Sequence, residues 1–350
     1  MRILIEKADW IVTVDANRRL LQSASILIEN DRIAFVGPAS DLSPDIDVDR
    51  RIDGSGLLIA PRFVDTHVHN TQQLGRGLAD ECDLPKQLLE RLYGYESILT
   101  SHESHLAAKL CQLELIKAGT TCFLDPSSYF PDETARAVSE TGIRGVISRT
   151  AFDVHRAPIG DMPGRTMFRE TLEEAMRRAE QTVVTHRNTC DGRLDAWFAL
   201  RILAGCSNEL CRRTRVLADR HGTGIVMHAS ESRDEIVASR LTSGASDVER
   251  LEALGVLGPN MVMIHMGWAS PREIELARRY KRRRWRWRPR EPPRRSDAQA
   301  SWARSSKADR PTSRSFDVRL RTGRPSSIPS RTSFSVRAAE RTPSWSPAKS

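Results

Sequence analysis

From about residue 56 to residue 280, short apolar runs alternate with longer stretches in which apolar side chains recur every three or four positions. The runs at 62–68, Thr120–Leu124, Arg144–Arg149, 196–200, 224–228 and Met261–His265 have the length and character of buried parallel strands. The stretches at 105–117, 132–141, 169–182, 211–221, 246–254 and Pro271–Tyr280 follow the helical period. Regular βα alternation predicts a parallel sheet wrapped by helices. Six strands are counted where closure of a (β/α)8 TIM barrel takes eight, so the fold class expected is α/β, an incomplete barrel. Ahead of it, residues 3–14, 24–30 and 32–36 read as strands, with turns at Asp15-Ala16-Asn17 and Glu29-Asn30-Asp31. They predict a small all-β unit over residues 1–58, followed by the barrel over 59–280.

Composition changes this picture only at the end of the chain. The net charge of +9 over 350 residues suggests an acidic partner, but residues 281–350 alone carry 17 Arg and 3 Lys against 5 acidic residues, a net of +15. The preceding 280 residues hold 34 basic and 40 acidic side chains, a net of −6, together with all nine His and all six Cys. In the tail, Arg, Ser and Pro fill 39 of 70 positions without a period of 2 or 3.6, and four of the seven Trp lie there. Such a segment buries too little apolar surface to offset its ordering entropy. Three readings compete: a nucleic-acid-binding arm with Trp285 and Trp287 stacking among arginines, a solvated disordered tail, and out-of-frame translation of a GC-rich gene. The change falls just after a clean helical segment, where another strand is due, and this favours the frame shift. No 20-residue apolar run predicts a membrane span, and the first residues enter a strand pattern without a signal peptide. Six scattered Cys with no Cys-x-x-Cys pair predict reduced thiols and a cytoplasmic protein, with Cys206 and Cys211 as packing residues.

Candidate chemistry gathers at strand ends. Asp65-Thr66-His67-Val68-His69 places two imidazoles two residues apart, on one face of an extended segment. Such a pair alone is common by chance. His228, followed three residues later by Glu231, ends the fifth strand, and His265 ends the sixth. In a β/α barrel the carboxyl ends of strands form the active face, so polar residues gathered there read as chemistry more than packing.

In this order the motifs resemble the metal-dependent amidohydrolase superfamily, in the branch holding cytosine- and adenosine-type deaminases and triazine chlorohydrolases. The runs Gln73-Leu74-Gly75-Arg76-Gly77, Ala118-Gly119-Thr120-Thr121 and Leu257-Gly258-Pro259 strengthen the likeness, which extends to about residue 280. It implies a barrel with a small β-sandwich built from both chain ends. It implies one Zn²⁺ or Fe²⁺ on His67, His69, His228 and an Asp ending the eighth strand, and a metal-bound hydroxide available near neutral pH. Glu231 would carry a proton from that water to the leaving group, and His265 would orient the water. The implied reaction is hydrolytic deamination or dechlorination of a small heterocycle, with Gln73 a substrate contact. A homo-oligomer is also implied.

No Lys occurs from 118 to 280, so a two-metal centre bridged by a fourth-strand carboxylated Lys is ruled out and one metal is expected. The eighth-strand Asp is missing: Asp297, Asp309 and Asp317 lie in patternless sequence. The expectation is therefore a chain of enzymatic lineage that folds poorly and is inactive, with a nucleic-acid-binding protein acting through the basic tail and a non-enzymatic amidohydrolase remnant as the alternatives. Among the other candidates, His102 and His105 are expected to face solvent, Asp65 to brace the first strand, and His155, Glu96 and Trp268 to carry weaker claims on the site.

Overall fold

Residues 1–84, 86–157, 160–161, 169–280 and 337–338 are described by the computed structural model. The expectations for the tail 281–350 (nucleic-acid arm, solvated tail or frame-shifted product) fall outside these residues, apart from that last pair. Two compact units are distinguished, one starting at Met1 and running to Phe63, the other starting at Val64.

In the first unit, isoleucines at alternating positions dictate a sheet with one buried face. Strand β1 (Arg2–Val12) pairs antiparallel with β2 (Leu20–Glu29), which pairs antiparallel with β3 (Arg32–Pro38). A register shift between Ile5 and Ala8 breaks β1 at Lys7, which sits at φ 54°. The half before the break runs parallel to β4 (Arg50–Asp53), and the half after it runs parallel to β5 (Leu57–Ile59). Ile3, Ile5, Ile11, Ile26, Ile28 and Ile59 form the core of this sheet with Ala8 and Ala24.

The second unit is a curled parallel sheet of six strands in chain order: β6 (Phe63–Asp65), β7 (Thr120–Leu124), β8 (Arg144–Arg149), β9 (Leu194–Leu200), β10 (Ile225–Ala229) and β11 (Met261–His265). This is the incomplete barrel expected. Each strand offers one set of alternate residues to the helices and the other to the concave side. Phe123, Ile147, Phe198, Ile225 and Met227 join the main core with residues of α3 (Pro131–Thr141), α4 (Leu172–His186) and α5 (Asn208–His221). Leu124, Val146, Trp197, Ala199, Val226 and Ile264 form a smaller inner cluster. His228, two residues beyond Val226, continues that inner row.

Helix starts follow capping chemistry more closely than periodicity. Helix α1 (Tyr93–Ile98) is followed by α2 (Ser101–Ala118), which begins four residues before the expected 105 because Thr100 and Glu103 form a capping box. Likewise α4 starts after the Thr171–Glu174 box, and α7 (Asp247–Ala253) after Ser246–Glu249. The helix α6 (Arg233–Ser243) was not anticipated: it buries only Ala238 and Ser239, so it carries little apolar periodicity. Its N-cap Ser232 and its left-handed Gly244 C-cap mark it instead. The last described helix is α8 (Pro271–Tyr280). No described helix is long and apolar enough to cross a membrane.

Candidate metal centre

The first imidazole pair is delivered by a strand that ends sooner than expected. β6 stops at Asp65, so His67 and His69 lie beyond it, whereas 62–68 was anticipated as strand. Two bonds keep the segment in line. The Asp65 Oδ1 accepts the His67 main-chain N–H at 3.1 Å, and the Val68 N–H donates to the Leu124 oxygen at 3.0 Å. Asp65 thus braces the segment, as anticipated. His228 lies within β10, flanked by β9 and β11.

The three side chains meet. Nε2 of His67 and Nε2 of His69 are 3.3 Å apart, and each lies 3.2 Å from Nε2 of His228. Tetrahedral zinc with Zn–N bonds of 2.0–2.1 Å needs ligand nitrogens roughly 3.3–3.4 Å apart. A cation shared by these nitrogens needs their lone pairs turned to a common point, and the surroundings supply neutral rings. Burial, followed by the charge of Arg201, drives His228 down to about 3. Burial likewise holds His69 well below its ordinary value, and His67 below it. The His228 Nδ1–H donates to the Arg201 main-chain oxygen at 2.8 Å, which leaves Nε2 without a proton. These three donors fit one divalent cation with a fourth position to spare. Among the described residues no carboxylate joins them.

Glu231 and His265 stand beside this triangle. Ala229 pairs with His265 across β10 and β11, which sets the two strand ends side by side. The His265 Nε2 is 3.3 Å from the Glu231 Oε1, and its ring centre is 4.9 Å from that of His67 and 5.5 Å from that of His228. Burial raises the Glu231 carboxyl, opposed by His265 and Arg201. The backbone is strained here: Ser230, His265 and Met266 adopt φ of 50°, 69° and 54°. Each such residue costs about 1–3 kcal/mol and persists only where its surroundings hold it. The Met266 N–H bonds the Ala229 oxygen at 2.9 Å and the Trp268 N–H bonds the Ser230 oxygen at 3.0 Å, which ties the two turns together.

Two buried groups at the site were not singled out by sequence. Arg201 follows β9, is 3% exposed, and grips Glu96 through two bonds of 2.6 and 2.8 Å, with its guanidinium 4.6 Å from the centre of the Tyr93 ring. The Gln72 amide donates to the same Glu96 at 2.7 Å. Asp125, just after β7, accepts the N–H groups of Asn70 and Ser127, both at 3.2 Å, and burial raises it to about 7. Both follow an apolar strand directly, the signal that flagged His265, so the same rule would have found them.

The remaining candidates are placed as follows. Gln73 accepts a hydrogen bond from Arg76, which also pairs with Glu114 of α2. His105 is buried between Glu133 and Glu140, which corrects the expectation that it faces solvent; α2 turns this face onto α3. His102 and His155 are exposed. Trp268 is stacked by Arg233 at 4.3 Å. Cys206 and Cys211 are buried packing residues, as expected.

Known proteins resemble this chain in sequence and in fold. The chain is 36% identical over 255 residues to a 5'-deoxyadenosine deaminase of Methanobrevibacter smithii, covering 73% of this chain and 55% of that protein. It is 30% identical over 281 residues to a 5-methylthioadenosine/S-adenosylhomocysteine deaminase of Thermoanaerobacter pseudethanolicus, covering 80% and 61%. The chain therefore spans little more than half the length of these relatives. Among solved structures, a triazine hydrolase from Arthobacter aurescens superposes with a TM-score of 0.70 at 20% identity, over 80% of this chain and 63% of that one. A zinc-bound adenosine deaminase from Xanthomonas campestris gives 0.69 at 22%, over 79% and 60%. Both show the same fold. A family model for amidohydrolases matches residues 58–298, which carry every residue of the histidine centre, and the chain belongs to the amidohydrolase family.

Proposed function

We propose that this centre is built for hydrolytic deamination of a small aminoheterocycle, with dechlorination as the related alternative at the same carbon. The observation that carries the reading is the 3.2–3.3 Å triangle of Nε2 atoms with Glu231 and His265 beside it. A bound divalent ion, zinc or ferrous iron, supplies Lewis acidity and lowers the pKa of water. His67, His69 and His228 hold it. Glu231, raised by burial, takes a proton from the attacking water and delivers it to the departing nitrogen. His265, beside Glu231, orients that water and stabilises charge developing on the tetrahedral intermediate at the attacked carbon. Gln73, whose amide oxygen accepts from Arg76, is the proposed substrate contact. The absence of a disulfide among the described residues fits the reducing, cytoplasmic setting expected from the scattered cysteines.

In our reading the chain holds the metal-binding and proton-transfer half of such a site. The aspartate that the family likeness places on an eighth strand has no counterpart among the described residues, so turnover by this chain stays near background. The test is a chimera in which residues 1–280 are joined to the remaining C-terminal part of the Methanobrevibacter smithii relative. Ammonia release from 5'-deoxyadenosine is expected from the chimera and not from its Glu231→Gln variant. A folded, zinc-loaded chimera that releases no ammonia from any aminoheterocycle would overturn the proposal.

A further inference from the structure

Behind the Glu231 turn lies a pair of buried acids that the chemistry above leaves unused. The Ser232 hydroxyl accepts the Glu235 N–H at 3.1 Å, at the spacing of a capping box, in which the glutamate reaches back to the N-cap amide. Glu235 reaches one residue further. Its Oε2 accepts the main-chain N–H of Glu231 at 2.6 Å. From the other side Asp247, 1% exposed, brings Oδ2 to 3.4 Å from the Ser230 N–H. The two acids thus hold consecutive amides of a turn whose first residue is at φ 50°.

The second oxygen of Glu235 is buried and receives no N–H or O–H donor, and the Asp247 carboxyl lies within hydrogen-bonding reach of the Glu235 side chain. Two such carboxylates in contact do not both stay ionised; one proton between them turns the contact into a bond. Burial, and then Asp247, push Glu235 up to about 8, and burial raises Asp247 as well. The other charged groups facing the pair are Glu231 and, toward Asp247, Arg250. Glu235 lines both the cleft that contains Glu231 and the larger cavity beside α7.

We propose that Glu235, backed by Asp247, is a positioning residue for Glu231: as a neutral acid it donates to Asp247 and accepts the Glu231 amide, fixing the turn that aims Glu231 at the histidines. Its catalytic meaning rests on Glu231 being the proton carrier. The experiment compares the full chain with Glu235→Gln and Glu235→Ala. The infrared difference between wild type and Glu235→Gln at pH 7 should show the carbonyl stretch of a protonated carboxyl group; its absence overturns the proposal. Hydrogen exchange at the Glu231 amide should quicken about tenfold in Glu235→Ala, the worth of one lost hydrogen bond, and stay slow in Glu235→Gln, which can both accept and donate. Equal protection in all three proteins overturns it. If Glu235→Ala does not fold, the infrared band and Glu235→Gln exchange decide alone. In the chimera, Glu235→Ala should lower kcat with KM unchanged, and Glu235→Gln should recover most of the loss. A chimera whose Glu231→Gln variant keeps full turnover removes the role of Glu231, while the infrared and exchange results still judge the tether.

Discussion

The Nδ1–H of His228 points at the main-chain oxygen of Arg201, 2.8 Å away, and this bond decides which ring nitrogen faces the other two imidazoles. Arg201 is in turn fixed by its side chain, clamped to Glu96 in the interior. A buried guanidinium left without its carboxylate costs about 3–5 kcal/mol. Glu96→Gln should therefore lower the unfolding free energy by roughly that amount in a denaturant titration. Because the Arg201 carbonyl orients His228, zinc affinity should also weaken, by on the order of 10- to 100-fold. Unchanged affinity would show that strand pairing alone holds the ring.

Zinc should bind the metal-free chain at one equivalent per molecule, measured by calorimetry or elemental analysis. Single alanine replacements of His67, His69 or His228 should each reduce affinity on the order of 10²-fold or more, since two imidazoles remain. Zinc present at a hundred times its Kd should add about 2.7 kcal/mol to stability. Alanine at the exposed His102 serves as the control and should leave both quantities unchanged.

The metal-free protein should lose stability on both sides of neutrality. His67, His69 and His228 are depressed in the fold, so below about 6.5 the unfolded chain takes up protons that the native chain refuses. Their contribution is complete above 6.5 and falls with decreasing pH, for His228 down to about 3, by about 1.4 kcal/mol per pH unit and group. Asp125 and Glu235 run the other way, raised to about 7 and about 8. Their contribution is complete below their unfolded values and is lost as pH rises through those folded values. Glu235→Gln should accordingly remove, in a series of thermal melts, the fall that Glu235 contributes between its unfolded value of about 4.3 and its folded value of about 8.

Gly224, immediately before β10, has the Trp197 ring where a Cβ would stand, 2.5 Å from the nearest ring atom. Trp197 is buried in the inner cluster, 3% exposed. Gly224→Ala should cost about 1–3 kcal/mol in unfolding experiments, as overpacking does. Since β10 carries His228, zinc affinity should drop in the same variant.

The order of the barrel strands, the small β unit before them and the five residues around the centre were all legible in the chain. Apolar runs of five to seven residues and polar residues at their ends are local signals, and β7, β8 and β11 match their expected bounds. Helix α6 escaped because a helix that buries little carries little periodicity. His105 was misjudged for a related reason: a histidine at a helix start looks solvated until a neighbouring helix covers it.

Local chemistry by itself determined which side chains stand at strand ends, because strand period and capping residues act over a few neighbours. Whether those ends meet depends on curvature and register of the whole sheet, a sum over six strands that no window of sequence contains. Only the folded chain therefore decided that His67, His69 and His228 share one point, that Arg201 sets the His228 tautomer, and that Glu235 and Asp247 hold the Glu231 turn from behind. Each of these joins residues brought together by packing, where burial removes water and makes a single hydrogen bond or proton decisive.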